Sequence, residues 1–83
     1  MPVLTSNEGR ADPLTPRELD VVRGVIAGLG NRDIGVELHL SERTVQSHVA
    51  NAMRKMGTST RTGLAVSALR RGLVPLDDPD WRS

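Results

Sequence analysis

Two stretches of helical periodicity, one through Ile34 and Leu38 and the next through Val45, Val49, Met53 and Met56, are separated only by His39-Leu40-Ser41. A link of about three residues sets two helices at the steep crossing of a helix-turn-helix. Such a crossing needs a small residue at the contact, and Gly35 supplies it on the earlier helix. Ile34, Leu38, Leu40 and Val45 then fall where the pair needs apolar groups to pack on another helix. His39 takes the turn position where positive φ suits glycine best, although histidine adopts that conformation more readily than β-branched residues do.

The flanking sequence completes an all-α, compact four-helix domain. Thr15, Pro16 and Glu18 give a helix start: a hydroxyl cap, proline at the first helical position, and a carboxylate three residues after the cap. Leu19, Val22, Val25, Ile26 and Leu29 follow at helical spacing, so the first helix is expected over residues 16–29 with Gly30 as its stop. Asn31 is expected to cap the second helix, and Ser41 the third, which ends at Gly57. Thr58-Ser59-Thr60 caps a fourth, whose stripe of Leu64, Ala65, Ala68 and Leu69 runs out near Gly72, short of Pro75. The domain is therefore read as residues 14–74. Residues 1–13, polar and holding two prolines, read as a flexible arm or linker remnant, and residues 75–83 as an acidic, disordered tail with Trp81 exposed.

Composition excludes several functions for a domain built this way. The chain has 83 residues and no cysteine, so aliphatic packing, not disulfides or thiolate metal sites, must hold it together. With Trp81 as its one aromatic residue it lacks the stacking platforms of single-strand binders and RNA-recognition sheets, which leaves a duplex as the better nucleic-acid partner. No apolar run approaches a bilayer span and no signal pattern opens the chain; a cytoplasmic protein with no membrane partner is expected. No catalytic residue, metal site or cofactor is expected either. There is no glycine-rich phosphate loop, His39 and His48 have no Cys or carboxylate pair at ligand spacing, and capping accounts for Glu18 without chemistry.

Charge is informative once it is divided along the chain. Between Leu14 and Gly72, nine Arg and Lys residues face five Asp and Glu, a net +4, while the flanks carry −3. A basic folded part between acidic ends is compatible with a polyanionic partner, and equally with a merely solubilising mixture. A tight-turned helix pair also occurs in proteins that never touch DNA. The solvent face of the third helix favours DNA: Glu42, Arg43, Gln46, Ser47 and Ala50 come early, and Asn51, Arg54 and Lys55 follow. Short polar groups near the N-terminus can reach base edges while cations beyond them contact flanking phosphates.

The segments Leu14-Thr15-Pro16-Arg17-Glu18, Gly28-Leu29-Gly30-Asn31-Arg32-Asp33-Ile34 and Ser41-Glu42-Arg43-Thr44-Val45-Gln46-Ser47-His48-Val49 resemble, in order and spacing, the LuxR-type (NarL/FixJ-type) helix-turn-helix of bacterial transcription regulators. Lys55-Met56-Gly57, Arg61 and the alanine-rich last helix extend the resemblance to about Val74. It implies sequence-specific binding of double-stranded promoter DNA, with Gln46, Ser47 and Ala50 facing bases and Arg32, Thr44 and Lys55 near the phosphate backbone. Arg43 joins the base-facing set, and His48 and Arg54 the phosphate-facing one. Ala50 departs from the lysine or other long polar residue of many relatives and cannot donate a hydrogen bond. Gly35 and Gly63 replace better helix formers, at about 1 kcal/mol each.

The resemblance also implies a homodimer formed through the last helix on two inverted half-sites, with Leu64, Val66, Leu69 and Leu73 as its interface and RNA polymerase as a further possible partner. The same residues would otherwise cap the domain's own core. The input is expected to come from a receiver or ligand-binding domain, as in the output domain of a response regulator, unless the chain is a short stand-alone regulator. Two other readings stand beside this one. A region-four-like sigma-factor module has a similar motif, but the long helix after Gly57 disfavours it. A helical interaction module, such as an adaptor or antagonist of another regulator, would have no use for Gln46 and Ser47.

Overall fold

The computed structural model describes residues 13–73, which form four helices and no strand: α1 Pro16–Ile26, α2 Asn31–Leu38, α3 Glu42–Met56 and α4 Arg61–Arg70. The expected arm and tail, including Trp81, lie outside these residues apart from Pro13. No helix of the described residues is long and apolar enough to cross a membrane.

Three helices begin as their sequences dictate. The Glu18 amide donates to Thr15 Oγ1 at 3.1 Å while the Thr15 amide donates to Glu18 Oε1 at 3.0 Å, closing the capping box on α1. Ser41 Oγ receives the Thr44 amide at 3.0 Å, and Thr60 Oγ1 the Gly63 amide at 2.9 Å. The start of α2 differs from expectation. Gly30 is its cap, without a side-chain bond, and Asn31 is already helical. The Asn31 side chain is engaged elsewhere: its Oδ1 accepts from Arg61 Nη1 at 2.7 Å, and Arg61 Nη2 donates to the Leu29 carbonyl at 2.8 Å. One guanidinium thus ties the α1–α2 loop to the start of α4.

All four helices end alike. The amides of Leu29, Leu40, Thr58 and Leu73 each donate five residues back, to the carbonyls of Gly24, Gly35, Met53 and Ala68, at 2.8–3.0 Å. On α1 the left-handed residue before that bond is Gly28, at φ +88°, so the helix stops three residues earlier than the apolar spacing suggests. Leu29 nevertheless packs against the core from the loop, which is why it continues the apolar stripe without being helical.

At the end of α2 the left-handed residue is His39, at φ 61° and ψ 42°, the one non-glycine residue with positive φ among those described. That conformation costs an L-residue about 1–2 kcal/mol. His39→Gly is therefore expected to stabilise the domain by about 1 kcal/mol, less the extra entropy glycine gives the unfolded chain. Urea unfolding followed by circular dichroism measures it; a variant less stable than the parent would show that the imidazole contributes more than its backbone conformation costs.

The core is aliphatic throughout. Val21, Val22 and Val25 from α1, Ile34 from α2, Val45, Val49, Ala52 and Met56 from α3, and Leu64 and Ala68 from α4 are buried. Val21, absent from the expected stripe, is fully inside, whereas Met53 and Ala65, expected there, are only partly covered. α1 and α3 each pack against the other three helices, and α2 and α4 come together only through that pair and the Arg61–Asn31 bond. The α2–α3 crossing is closest at Gly35, where an added Cβ would lie 2.5 Å from the backbone oxygen of Leu40. Such proximity lets α2 brace α3 from one side while α1 and α4 brace it from the others.

Candidate nucleic-acid interface

With Val45, Val49, Ala52 and Met56 buried, the opposite face of α3 must point away from the protein. Arg43, Ser47, Ala50 and Arg54, spaced by four, three and four residues, lie along the middle of that face, and Gln46 lies beside them. All five are exposed. Arg43, Gln46 and Ser47 make no side-chain bond to any described residue, so their polar groups are directed at solvent or a ligand. Arg54 Nη2 donates to Asn51 Oδ1 at 3.4 Å, a long bond at the surface that leaves the guanidinium available. The structure thus gathers the four expected base-facing residues onto one convex ridge.

The expected phosphate-facing residues are distributed differently. Thr44, His48 and Lys55, spaced by four and seven, share one flank of α3. Thr44 is exposed, and its hydroxyl accepts from Ser41 Oγ at 2.9 Å while its own amide is held by that same oxygen, which fixes the start of the ridge. His48 is half-buried, with Nδ1 shut away from solvent and lacking a partner among the described residues. Only its opposite nitrogen is placed to meet an outside group. Arg32, in the first turn of α2, is exposed, and its guanidinium bonds to none of the described residues.

Lys55 is committed inward. Its Nζ donates to Glu18 Oε1 at 2.8 Å and to the Pro13 carbonyl at 3.4 Å, and its side chain is only 15% exposed. Glu18 is at once the capping carboxylate of α1 and the counter-ion of α3. Burial raises the tendency of that carboxyl to stay protonated, but the Lys55 ammonium and the Thr15 amide and hydroxyl outweigh burial and hold its pKa below the ordinary glutamate range. In this structure Lys55 thus braces α1 against α3, and a phosphate contact would compete with that pair for its ammonium. Nothing in single-sequence spacing joins residues 18 and 55; the signal lies in two separate features, a capping motif and a helix-end lysine.

On α4, the expected partner-facing residues divide. Leu64 is entirely buried in the monomer's own core and has no surface to offer, because its position on the helix faces α1 and α3. Val66 and Leu73 are 41% and 37% exposed, and Leu69 is half-buried between them. Arg61, to which sequence spacing assigns no role, proves to be the clamp between the α1–α2 loop and the start of α4 described above.

Comparison with known proteins agrees with this geometry. Residues 12–68 match the family described as bacterial regulatory proteins, luxR family. The chain is 41% identical over 70 residues to the transcriptional regulatory protein YxjL of Bacillus subtilis, covering 84% of this chain and 32% of that protein. It is 37% identical over 62 residues to the nitrate/nitrite response regulator protein homolog of Haemophilus influenzae, covering 75% of this chain and 30% of that one. The chain therefore spans about a third of the length of these relatives. The solved structure of the transcription factor GerE superposes with a TM-score of 0.72 at 34% identity, covering 77% of this chain and 96% of that one. A capped four-helix domain with a glycine-pinned helix-turn-helix and an uncovered polar ridge on α3 is thus a DNA-binding domain, and the chain belongs to the LuxR family of bacterial transcription regulators.

Proposed function

We propose that this domain reads promoter DNA in the cytoplasm as a homodimer, with α3 in the major groove of each half-site, and that it is the output part of a response regulator or a short regulator of the same kind. The observation that carries the reading is the ridge of Arg43, Gln46, Ser47 and Ala50, exposed on a helix that three others hold rigidly from behind. A guanidinium and a carboxamide there match the paired acceptors of guanine and the acceptor–donor pair of adenine in the major groove. Arg32, Thr44 and His48 beside the ridge, and Arg54 at its C-terminal end, are the contacts to phosphate, which set register without reading sequence. Pairing through Val66, Leu69 and Leu73 is supported by the apolar surface they leave at the end of α4. The response-regulator context is supported by relatives about two and a half times as long, one of them named as such.

Selection of random duplexes by the purified chain tests this. An enriched inverted repeat is the expected result, and a folded chain that enriches no sequence would overturn it. On the selected duplex, Gln46→Ala should weaken binding about ten-fold and leave affinity for random DNA nearly unchanged. Arg32→Ala should weaken both alike and lower the slope of log affinity against log salt by about 0.9, the share of one neutralised phosphate. Equal effects of the two variants on both duplexes would refute the division between reading and positioning.

A further inference from the structure

Within the ridge, Ala50 is exposed and has no polar atom in its side chain. It follows Gln46 by one turn and Ser47 by three residues, so a duplex seated on those two side chains also covers the Ala50 methyl. Its neighbour one turn on, Arg54, makes its one side-chain bond among the described residues to Asn51, a long surface contact on the flank away from Gln46. Ala50 itself is exposed, and no hydrogen bond among the described residues fixes a longer side chain over it. A major-groove edge facing a bare methyl at close range gains nothing from its hydrogen-bonding groups there. Among the four bases, one presents an apolar group in that groove: the C5-methyl of thymine.

We infer that Ala50 is a specificity-determining residue that selects a pyrimidine carrying a C5-methyl group, thymine in unmodified DNA. This rests on α3 reading the major groove as proposed above. The contact buries one methyl against another, and removing it should weaken binding about four-fold. Cytosine methylated at C5 offers the same group and should be accepted at that position better than plain cytosine, by a similar factor.

The experiment uses the full 83-residue chain and the duplex it selects. Each thymine is replaced singly by deoxyuridine, which removes the methyl and keeps every hydrogen-bonding group. One thymine per half-site is expected to show the four-fold loss, and Ala50→Gly is expected to abolish the difference between thymine and uracil there. Because the readout is a ratio within each variant, any loss of helix stability from glycine cancels. Placing 5-methylcytosine or cytosine at the same position separates the methyl group from the rest of thymine. Uracil tolerated everywhere, or a thymine preference that survives Ala50→Gly, would overturn the assignment while leaving the operator and the reading of α3 intact. Failure to select any duplex would overturn both together.

Discussion

Replacing Gly35 by valine is expected to remove about 3 kcal/mol from the stability of the domain, a large part of what a fold of this size possesses. The first atom added, Cβ, would stand 2.5 Å from the Leu40 carbonyl oxygen and 3.6 Å from the Glu42 nitrogen. Both belong to backbone that cannot rotate aside. The same turn is held by the Leu40 amide, which donates to the Gly35 carbonyl at 2.8 Å, so relief requires breaking that bond or opening the angle between α2 and α3. Valine adds two further methyls and the restricted rotamers of a β-branched residue in a helix. Gly35→Ala brings only the Cβ and gains about 1 kcal/mol of helix propensity, so it should fall between the parent and the valine variant. Urea unfolding of all three measures the series. A valine variant within about 0.5 kcal/mol of the parent would mean that the turn yields at little cost and does not fix the crossing.

The three-residue link and Gly35 announce the helix-turn-helix in the sequence itself, because turn length and side-chain size act locally. Caps at Thr15, Ser41 and Thr60 are legible for the same reason: each is a hydroxyl three residues before the amide it receives. Where two local solutions compete, the sequence does not decide. Gly28 and Gly30 could each end α1, and the choice of Gly28 depends on Leu29 reaching the core from the loop. Asn31 could cap α2, but Arg61, thirty residues away, takes its side chain instead. The exposed ridge on α3 is legible, since a strongly amphipathic helix reveals its outer face once its inner one is found. The flank is not. Whether a lysine at a helix end faces a ligand or another helix depends on what the fold brings beside it, and here that is the carboxylate of Glu18.

Lys55→Met is accordingly expected to destabilise the protein by about 3 kcal/mol at neutral pH, with little effect on how its DNA affinity responds to salt. Breaking one side of a buried pair leaves the other charge without its partner, and the usual cost is about 3–5 kcal/mol. The lower end applies because Lys55 keeps some contact with solvent and Glu18 retains the Thr15 amide. The pH dependence separates the ion pair from simple packing. In the parent, Glu18 has a lower pKa folded than unfolded, so its contribution is complete above the unfolded value of about 4.3 and fades as the pH falls through the lower folded value. Without Lys55, burial is the strongest influence left on that carboxyl, and the contribution shrinks or reverses. The deficit of the variant should therefore be largest near neutrality and narrow in acid, where Glu18 is protonated with or without its partner. Unfolding free energies across that range decide the matter. A deficit constant with pH would assign the loss to packing of the lysine stem, and an unchanged stability with a flatter salt dependence of DNA binding would return Lys55 to the phosphates.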